Sequence, residues 1–235
     1  KGINVINTPA ASSKSVAELV FSHLFGCVRF LHESNRSMPL EGDTKFKELK
    51  KSYAGGTELS GKTLGIIGFG RIGQEVAKIA IGVGMKVIFY DKFNEQANIK
   101  LDFFDGQNLS FKLKSSTFDE LLNNSDFITV HIPASNEYII DSDQIAKMKN
   151  GVGLLNLSRG GIINEEELIK NIESGKISFA GIDTFEGEPN PSMKILMNSN
   201  ISLTPHIGAA TGEAQDRIGV ELADKINDIL GWLKN

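Results

Sequence analysis

Short apolar runs alternate with amphipathic patterns along most of the chain, from Thr63 to Leu203. Each run has the length of a strand, and the patterns between runs have the spacing of helices that bury one face. This alternation is typical of an α/β fold in which helices cover both faces of a doubly wound parallel sheet. The predicted strands are 63–67, 86–90, 126–132, 152–157, 179–182 and 201–203.

Two helical patterns lie outside this alternation. The first begins with a capping-box sequence, Ser15 followed three residues later by Glu18, and runs to about Leu31. Because it is apolar on most faces, we expect it to be buried on more than one side and to contribute to a homodimer contact. The second, 212–233, has one apolar stripe that requires a further surface to cover it.

The remaining segments are predicted from turn residues and alternation. Residues 3–7 resemble a short strand, and 34–60, which are polar and contain several glycines, resemble an extended arm. In 101–114 apolar residues alternate after the turn dipeptide Asp105-Gly106, which predicts a β-hairpin. Short helices are expected at 118–123, at 141–148 and after the capping residue Asn164.

Composition narrows the class of protein. The 235 residues carry a formal net charge of −4 with no long basic run, which argues against nucleic acid or an anionic membrane surface as a partner. No long apolar window is free of charges, so we expect no membrane span. The one cysteine, Cys27, cannot form an internal disulfide, which favours a reducing, cytoplasmic location. No close-spaced set of histidines and carboxylates predicts a metal site.

A glycine motif follows the first strand of the alternation. Gly68, Gly70 and Gly73 fit G-x-G-x-x-G and precede a helical pattern, which is the arrangement that binds the pyrophosphate of a dinucleotide. Asp91 ends the next strand, 18 residues after the last glycine, near the spacing of a carboxylate that binds the ribose hydroxyls. That carboxylate would repel a 2′-phosphate, so NAD is favoured over NADP. The alternative is an ordinary α/β turn with a surface acid.

Polar residues stand where predicted strands end: Asp91, His131, Arg159, Asp183 and His206. Ligands of such sheets bind outside the carboxyl ends of the strands. A nicotinamide enzyme that acts on an alcohol needs a base, which suits histidine, and a cation for the substrate, which suits the planar fork of arginine. The alternatives without a catalytic role are that Arg159 is a surface arginine in a glycine loop and that His206 hydrogen-bonds the backbone at a helix start.

Five motifs occur in a familiar order: Gly-Phe-Gly-Arg-Ile-Gly, Val-His-Ile-Pro, Asn-Leu-Ser-Arg-Gly-Gly, Asp-Thr-Phe-Glu-Gly-Glu-Pro and Thr-Pro-His-Ile-Gly. Together they resemble the D-isomer-specific 2-hydroxyacid dehydrogenase family over nearly the whole chain. The resemblance implies a Rossmann-type NAD-binding domain. It also implies an oxidoreductase that transfers a hydride between NAD and a small 2-hydroxy or 2-keto acid.

The resemblance also assigns site residues. It implies that Arg159 binds the substrate carboxylate and keto group, that His206 is the acid/base and that Glu188 pairs with His206. Glu186 would have no role, and Asp183 would contact the nicotinamide amide. Beyond the three glycines and Asp91, the residues implied to contact or line the cofactor are Arg71, Ile72, His131, Ile132, Pro133, Leu157, Ser158 and Gly208.

Family members carry a flavodoxin-like substrate domain before the point where this sequence begins. Residues 1–7 and 206–235 would complete that domain, and 8–205 would form the dinucleotide-binding domain. The segments 57–63 and 206–215 look most like members that oxidise 3-phosphoglycerate in serine biosynthesis, whereas 101–114 is longer than is usual. The alternatives are members that reduce glyoxylate or hydroxypyruvate, members that act on D-lactate, and corepressor-like proteins that sense NAD.

Overall fold

The computed structural model of the chain describes residues 5–8 and 10–231. Its strands are β1 (Thr63–Ile67), β2 (Lys86–Tyr90), β3 (Gln96–Asp102), β4 (Asn108–Lys114), β5 (Phe127–Val130), β6 (Val152–Asn156), β7 (Ile177–Ile182) and β8 (Ile201–Leu203). Its helices are α1 (Ser13–Val28), α2 (Leu31–Glu41), α3 (Phe46–Ser52), α4 (Arg71–Gly82), α5 (Phe118–Asn124), α6 (Ser142–Lys147), α7 (Glu165–Glu173), α8 (Met193–Leu196) and α9 (Gly212–Leu230).

Six strands form one parallel sheet in the order β2-β1-β5-β6-β7-β8. The chain moves outward from β1 to β2 and then returns to place β5 on the other side of β1. Such a reversal is the point at which open α/β sheets bind their ligands, beyond the carboxyl ends of the strands. The predicted doubly wound fold and its six strands are confirmed.

Both faces of the sheet are buried. Side chains alternate along a strand, so in β1 Leu64 and Ile66 pack into one core and Ile67 packs into the other. The first core is covered by α1 and α4, and the second by α5, α6 and α7. Burial on both sides is the physical reason why these strands are continuous apolar runs in the sequence.

The segment before the sheet differs from its prediction in three respects. Helix α1 begins at Ser13, so Ser15 lies inside it and forms no capping box; the Ser15 hydroxyl instead donates to the carbonyl of Gly208 at 2.6 Å. Residues 34–60 are not an extended arm, because most of them belong to α2 and α3. Neither helix buries a residue, so neither has an apolar stripe to reveal it. Residues 5–8 form no strand, and the rest of the predicted strand 3–7 lies outside the described residues.

The predicted hairpin is confirmed and begins earlier than expected. Strands β3 and β4 pair antiparallel, and Gly106 adopts a left-handed φ of 85° in the turn between them. Ile99 packs with the core beneath α4, whereas the tip of the hairpin carries exposed phenylalanines, so only its inner face joins the fold.

Two further predictions concern the cap of α7 and the apolar stripe of the last helix, α9. The side chain of Asn164 accepts hydrogen bonds from the backbone N–H groups of Glu166 and Glu167, which confirms it as the cap of α7. In α9, Leu222 and Ile229 are 38% and 48% exposed, so the described part of the chain leaves the apolar stripe of this helix partly uncovered.

Loss of the buried bond from Ser15 to Gly208 is expected to destabilise the protein. Because Ser15→Ala leaves a buried carbonyl without its donor, it should lower the free energy of unfolding by about 1–3 kcal/mol. Ser22→Ala is the matched control, since the exposed Ser22 hydroxyl bonds only to the carbonyl of Glu18, one turn earlier in the same helix, and its loss should cost under about 0.5 kcal/mol. Urea unfolding of both variants measures the difference, and equal midpoints would contradict the expectation.

Candidate active site

The predicted site residues meet at the carboxyl edge of the sheet. A cavity of about 480 Å³ opens there between the start of α1, the start of α4 and the ends of β5, β6 and β7. Its lining includes ten residues singled out in the sequence: Ile72, His131, Ile132, Pro133, Leu157, Ser158, Arg159, Asp183, His206 and Gly208. A second cavity, of about 380 Å³, lies at the opposite edge beside the starts of the strands, away from these residues.

His206 and Glu188 form a hydrogen-bonded pair. Nδ1 of His206 lies 2.9 Å from Oε2 of Glu188, and because a carboxylate only accepts, Nδ1 carries the proton. The N–H of Phe185 donates to Oε1 of Glu188 at 2.9 Å and fixes the carboxylate. The hydrogen bond from His206 lowers the pKa of Glu188 against partial desolvation, with help from the Phe185 N–H and the charge of Arg159. Nε2 of His206 has no hydrogen-bond partner within residues 5–8 and 10–231.

The backbone of His206 is held in an uncommon conformation. Its φ of 56° lies in the left-handed region, which residues other than glycine seldom adopt. Asp183, which is 1% exposed, accepts from the N–H groups of Ile207 and Gly208 at 2.9 Å each and from the hydroxyl of Thr204 at 2.6 Å. The buried carboxylate therefore fixes the loop on both sides of His206. The sequence carried no signal of this role; the nicotinamide contact implied for Asp183 stays a prediction.

Arg159 lies in a turn that a buried amide holds. The side chain of Asn156 donates to the carbonyl of Arg159 at 2.9 Å and accepts from the N–H and hydroxyl of Ser158 at 3.1 and 2.8 Å. One guanidinium N–H of Arg159 bonds to the Ser158 carbonyl at 2.6 Å. Its other guanidinium donors have no acceptor in the part of the chain that the structure describes, so they are available to a ligand.

The glycine turn fits the pyrophosphate of a dinucleotide. Gly68 has a φ of 88°, and a Cβ there would overlap the carbonyl of His131. At Gly70, by contrast, a Cβ would meet nothing within 4 Å, so a side chain would occupy the space that the phosphates need. No side chain caps the start of α4, so the N–H groups of Arg71, Ile72 and Gly73 are left for an anion.

Asp91 joins the glycine turn to the end of β2. Its Oδ2 accepts from the N–H of Phe69 at 2.6 Å, and its Oδ1 accepts from the N–H groups of Phe93 and Asn94 at 2.8 and 2.9 Å. Burial alone would raise the pKa of Asp91, but these hydrogen bonds outweigh it and lower the pKa. The carboxylate thus stays charged beside the turn, and its contact with the ribose stays a prediction.

His131 is held neutral at the floor of the cavity. Nε2 lies 2.9 Å from the hydroxyl of Thr129, and Nδ1 is buried with no partner among the described residues. Burial lowers the pKa of His131 to about 3, so it carries no charge at neutral pH.

Other polar residues of the sequence lie outside the cavity. His23 is buried and bonds to the hydroxyls of Ser202 and Thr204, so it joins α1 to β8 and the residue that follows it. Glu186, implied to have no role, makes a reciprocal pair with Glu165. Across the described ranges no three metal-ligating side chains cluster, and no helix of that part is long and apolar enough to cross a bilayer.

Comparison with known proteins agrees with this geometry. Residues 21–208 match the family model described as D-isomer specific 2-hydroxyacid dehydrogenase, NAD binding domain. A hydroxypyruvate reductase of Thermotoga maritima is 45% identical over 236 residues, which cover 98% of this chain and 71% of the relative. A D-3-phosphoglycerate dehydrogenase of Bacillus subtilis is 36% identical over 227 residues, which cover 96% of this chain and 40% of the relative.

A solved structure adds the cofactor. The crystal structure of a D-lactate dehydrogenase from Aquifex aeolicus, complexed with NAD and lactic acid, matches with a TM-score of 0.75 at 30% identity. The match covers 99% of this chain and 71% of that one. The family match extends over most of the chain, and the uncapped glycine turn fits the same cofactor. The chain belongs to the D-isomer specific 2-hydroxyacid dehydrogenase family, of which it carries the NAD binding domain, and its cofactor is NAD.

Proposed function

We propose that the protein reduces a 2-keto acid to the D-2-hydroxy acid, and that its substrate is hydroxypyruvate, which yields D-glycerate. The observation that carries the proposal is the hydrogen bond between Glu188 and His206, which lines the same cavity as Arg159. These residues supply a proton donor, a group that orients it and a cation for the substrate carboxylate.

NAD supplies the hydride chemistry when it is bound. The guanidinium of Arg159 binds the substrate carboxylate through the donors that its own turn leaves free. Nε2 of His206 donates its proton to the keto oxygen as the hydroxyl forms, and takes it back in the oxidation. Glu188 keeps the other proton of the ring on Nδ1 and stabilises the imidazolium form. Neutral His131 places no second positive charge in the cavity.

The choice of hydroxypyruvate rests on the charges around the cavity. A phosphate group needs cationic partners. Among the described residues that line the cavity, Arg159 is the only arginine or lysine, and the proposal assigns it to the carboxylate. A neutral hydroxymethyl group needs no such partner, and the relative that is 45% identical is a hydroxypyruvate reductase.

A second candidate is the oxidation of 3-phosphoglycerate. The segments 57–63 and 206–215 favour it, and so does the phosphoglycerate dehydrogenase that is 36% identical. Its phosphate would have to be bound by residues that do not line this cavity. The division into 8–205 as the dinucleotide-binding domain, with 1–7 and 206–235 in a substrate domain, also stays a prediction.

We also propose that the protein is a homodimer, as the apolar first helix predicts. Support comes from large apolar side chains that remain exposed at the end of α1 and along α2 and α3: Phe25, Leu31, Met38, Leu40 and Phe46. The cytoplasmic location expected from the lone cysteine stays a prediction as well.

Removal of either substrate-facing group should strongly reduce turnover but leave the cofactor bound. In the full-length protein, His206→Gln and Arg159→Gln are each expected to lower kcat/KM for hydroxypyruvate by about 10²- to 10⁴-fold, because proton transfer or carboxylate binding is lost. The NADH dissociation constant, measured by fluorescence, should stay within about threefold, or under 1 kcal/mol. His32→Gln is the control, since His32 is exposed at the opposite edge of the sheet. Normal turnover by either variant would refute the assignment.

A substrate panel distinguishes the candidates. With NADH, the full-length protein should reduce hydroxypyruvate with a higher kcat/KM than 3-phosphohydroxypyruvate, because the described lining of the cavity offers no arginine or lysine besides Arg159. Glyoxylate and pyruvate, assayed beside them, test the role of the hydroxymethyl group. A preference for the phosphorylated acid would support the second candidate instead. Tight NADH binding with no turnover of any keto acid would support a corepressor-like sensor of NAD.

The ionised Glu188 should stabilise the fold only above its native pKa. Because its pKa is lowered in the folded state, its stabilising effect is complete above the unfolded value, about 4.5, and is lost as pH falls through the native value. The melting temperature of Glu188→Gln should therefore lie below that of the unsubstituted protein near neutral pH, and the gap should close in acid. The gap will be a few degrees at most, since both side chains are partly exposed. A gap that persists unchanged at acid pH would contradict this expectation.

A further inference from the structure

Two loops carry the proposed chemistry, and they come from neighbouring strands. The arginine loop, 157–164, follows β6 and holds Arg159; the glutamate loop, 183–189, follows β7 and holds Glu188. Neither loop is part of the sheet, so ladder hydrogen bonds do not fix the distance between the two side chains. Some other contact has to set it.

A reciprocal pair of hydrogen bonds joins the glutamate loop to the start of α7, directly after the arginine loop. Glu165, the first residue of α7, donates its backbone N–H to Oε1 of Glu186 at 3.0 Å. Glu186 donates its own backbone N–H to Oε1 of Glu165 at 2.8 Å. Each carboxylate thus accepts a hydrogen bond from the backbone N–H of the other residue. The hydroxyl of Tyr138 donates to the second oxygen of Glu186 at 3.3 Å.

The backbones of the two loops also touch. A Cβ at Gly160 would overlap the carbonyl of Phe185, so the residue after Arg159 packs directly against the peptide between Phe185 and Glu186. The loops are therefore joined at two points, one by backbone contact and one by the paired carboxylates.

The pairing persists in spite of an electrostatic cost. Burial raises the pKa of the Glu165 carboxyl; the N–H of Glu186 offsets this in part, and the negative charge of Glu186 adds to it. Glu186 also places a negative charge at the first turn of α7, where the helix dipole favours it. The two bonds and this helix end oppose the repulsion between the carboxylates.

Adjacent amides connect this pair to His206. The N–H of Glu186 bonds to Glu165, and the N–H of Phe185, one residue earlier, bonds to Glu188. Glu188 in turn holds Nδ1 of His206. A displacement of the backbone at Phe185 and Glu186 would therefore move both amides, and with them the carboxylate that orients the imidazole.

We propose that Glu165 and Glu186 are positioning residues, which hold the glutamate loop against the arginine loop and so set the place of His206 relative to Arg159. This inference rests on the proposed function. It assigns a purpose to the first glutamate of the Asp-Thr-Phe-Glu-Gly-Glu-Pro motif, which touches neither the cavity nor His206.

Two substitutions of Glu186 separate the effect of side-chain length from the effect of charge. Glu186→Asp keeps the charge but is one methylene too short to reach the N–H of Glu165. Glu186→Gln loses the charge but keeps an oxygen for that N–H and an amide group for the oxygen of Tyr138. The control is Glu166→Gln, an exposed glutamate one position along α7.

The expected result in the full-length protein, with hydroxypyruvate and NADH, is a lower kcat for Glu186→Asp by about 10- to 100-fold, because the proton donor is misplaced. KM for NADH should stay within about threefold. Glu186→Gln and the control should keep kcat within about threefold of the unsubstituted protein. A normal kcat in the folded Asp variant, or a loss in Gln that equals the loss in Asp, would overturn the inference.

A readout without turnover keeps this test apart from the proposed function. In NADH-bound protein with isotope-labelled histidine, the Nδ1 proton of His206 should keep its hydrogen-bonded resonance in Glu186→Gln and should lose or shift it in Glu186→Asp. If no keto acid is reduced, the proposed function fails and the spectra still decide the positioning role. Identical His206 resonances in both variants would refute that role.

Discussion

The candidate site depends on one buried carboxylate. Asp183 is almost wholly inaccessible, and its two oxygens accept from Thr204, Ile207 and Gly208. A buried carboxylate without such partners would destabilise the fold by several kcal/mol. Any rearrangement of the loop that broke these hydrogen bonds would therefore be unfavourable. The loop is therefore rigid where His206 has a left-handed backbone, and the imidazole faces the cavity because Asp183 holds the residues after it. The backbone geometry at His206 thus depends on the hydrogen bonds of a neighbouring buried carboxylate.

The same arrangement recurs along the carboxyl edge of the sheet. Asp91 closes the glycine turn, Asn156 closes the turn of Arg159, and Glu188 is fixed by the Phe185 amide before it meets His206. In each place a polar side chain at or after a strand end hydrogen-bonds the backbone of a loop. The parallel sheet thus sets the spacing between the loops, and the hydrogen bonds of these side chains fix the backbone conformation of each loop. The functional groups are then presented on loops with few remaining degrees of freedom, which favours a preorganised site.

The sequence predicted the sheet well because its central strands, β1, β5 and β6, are buried on both faces and are largely apolar. It failed for α2 and α3, whose residues are not buried, and for Ser15, whose partner is far along the chain. The motifs were enough to bring Arg159, Glu188 and His206 into one hypothesis. The loop contacts of Asp183 and Glu186 could not be predicted from the sequence. Their hydrogen-bond partners lie 21 or more residues away, and only the folded backbone brings them together.

The hydrogen bond from Ser15 to Gly208 has a consequence for how the protein is made. It spans 193 positions, so Ser15, which bonds to the loop that carries His206, leaves the ribosome long before that loop does. Chains are synthesised at about 5–20 residues per second, which separates the two partners by about ten seconds or more. The Ser15 hydroxyl on α1 therefore has no bond to Gly208 until β8, the last strand of the sheet, and the loop after it have been synthesised. The geometry of this loop is therefore acquired only after residue 208 has been synthesised, whatever the order in which the earlier strands pair.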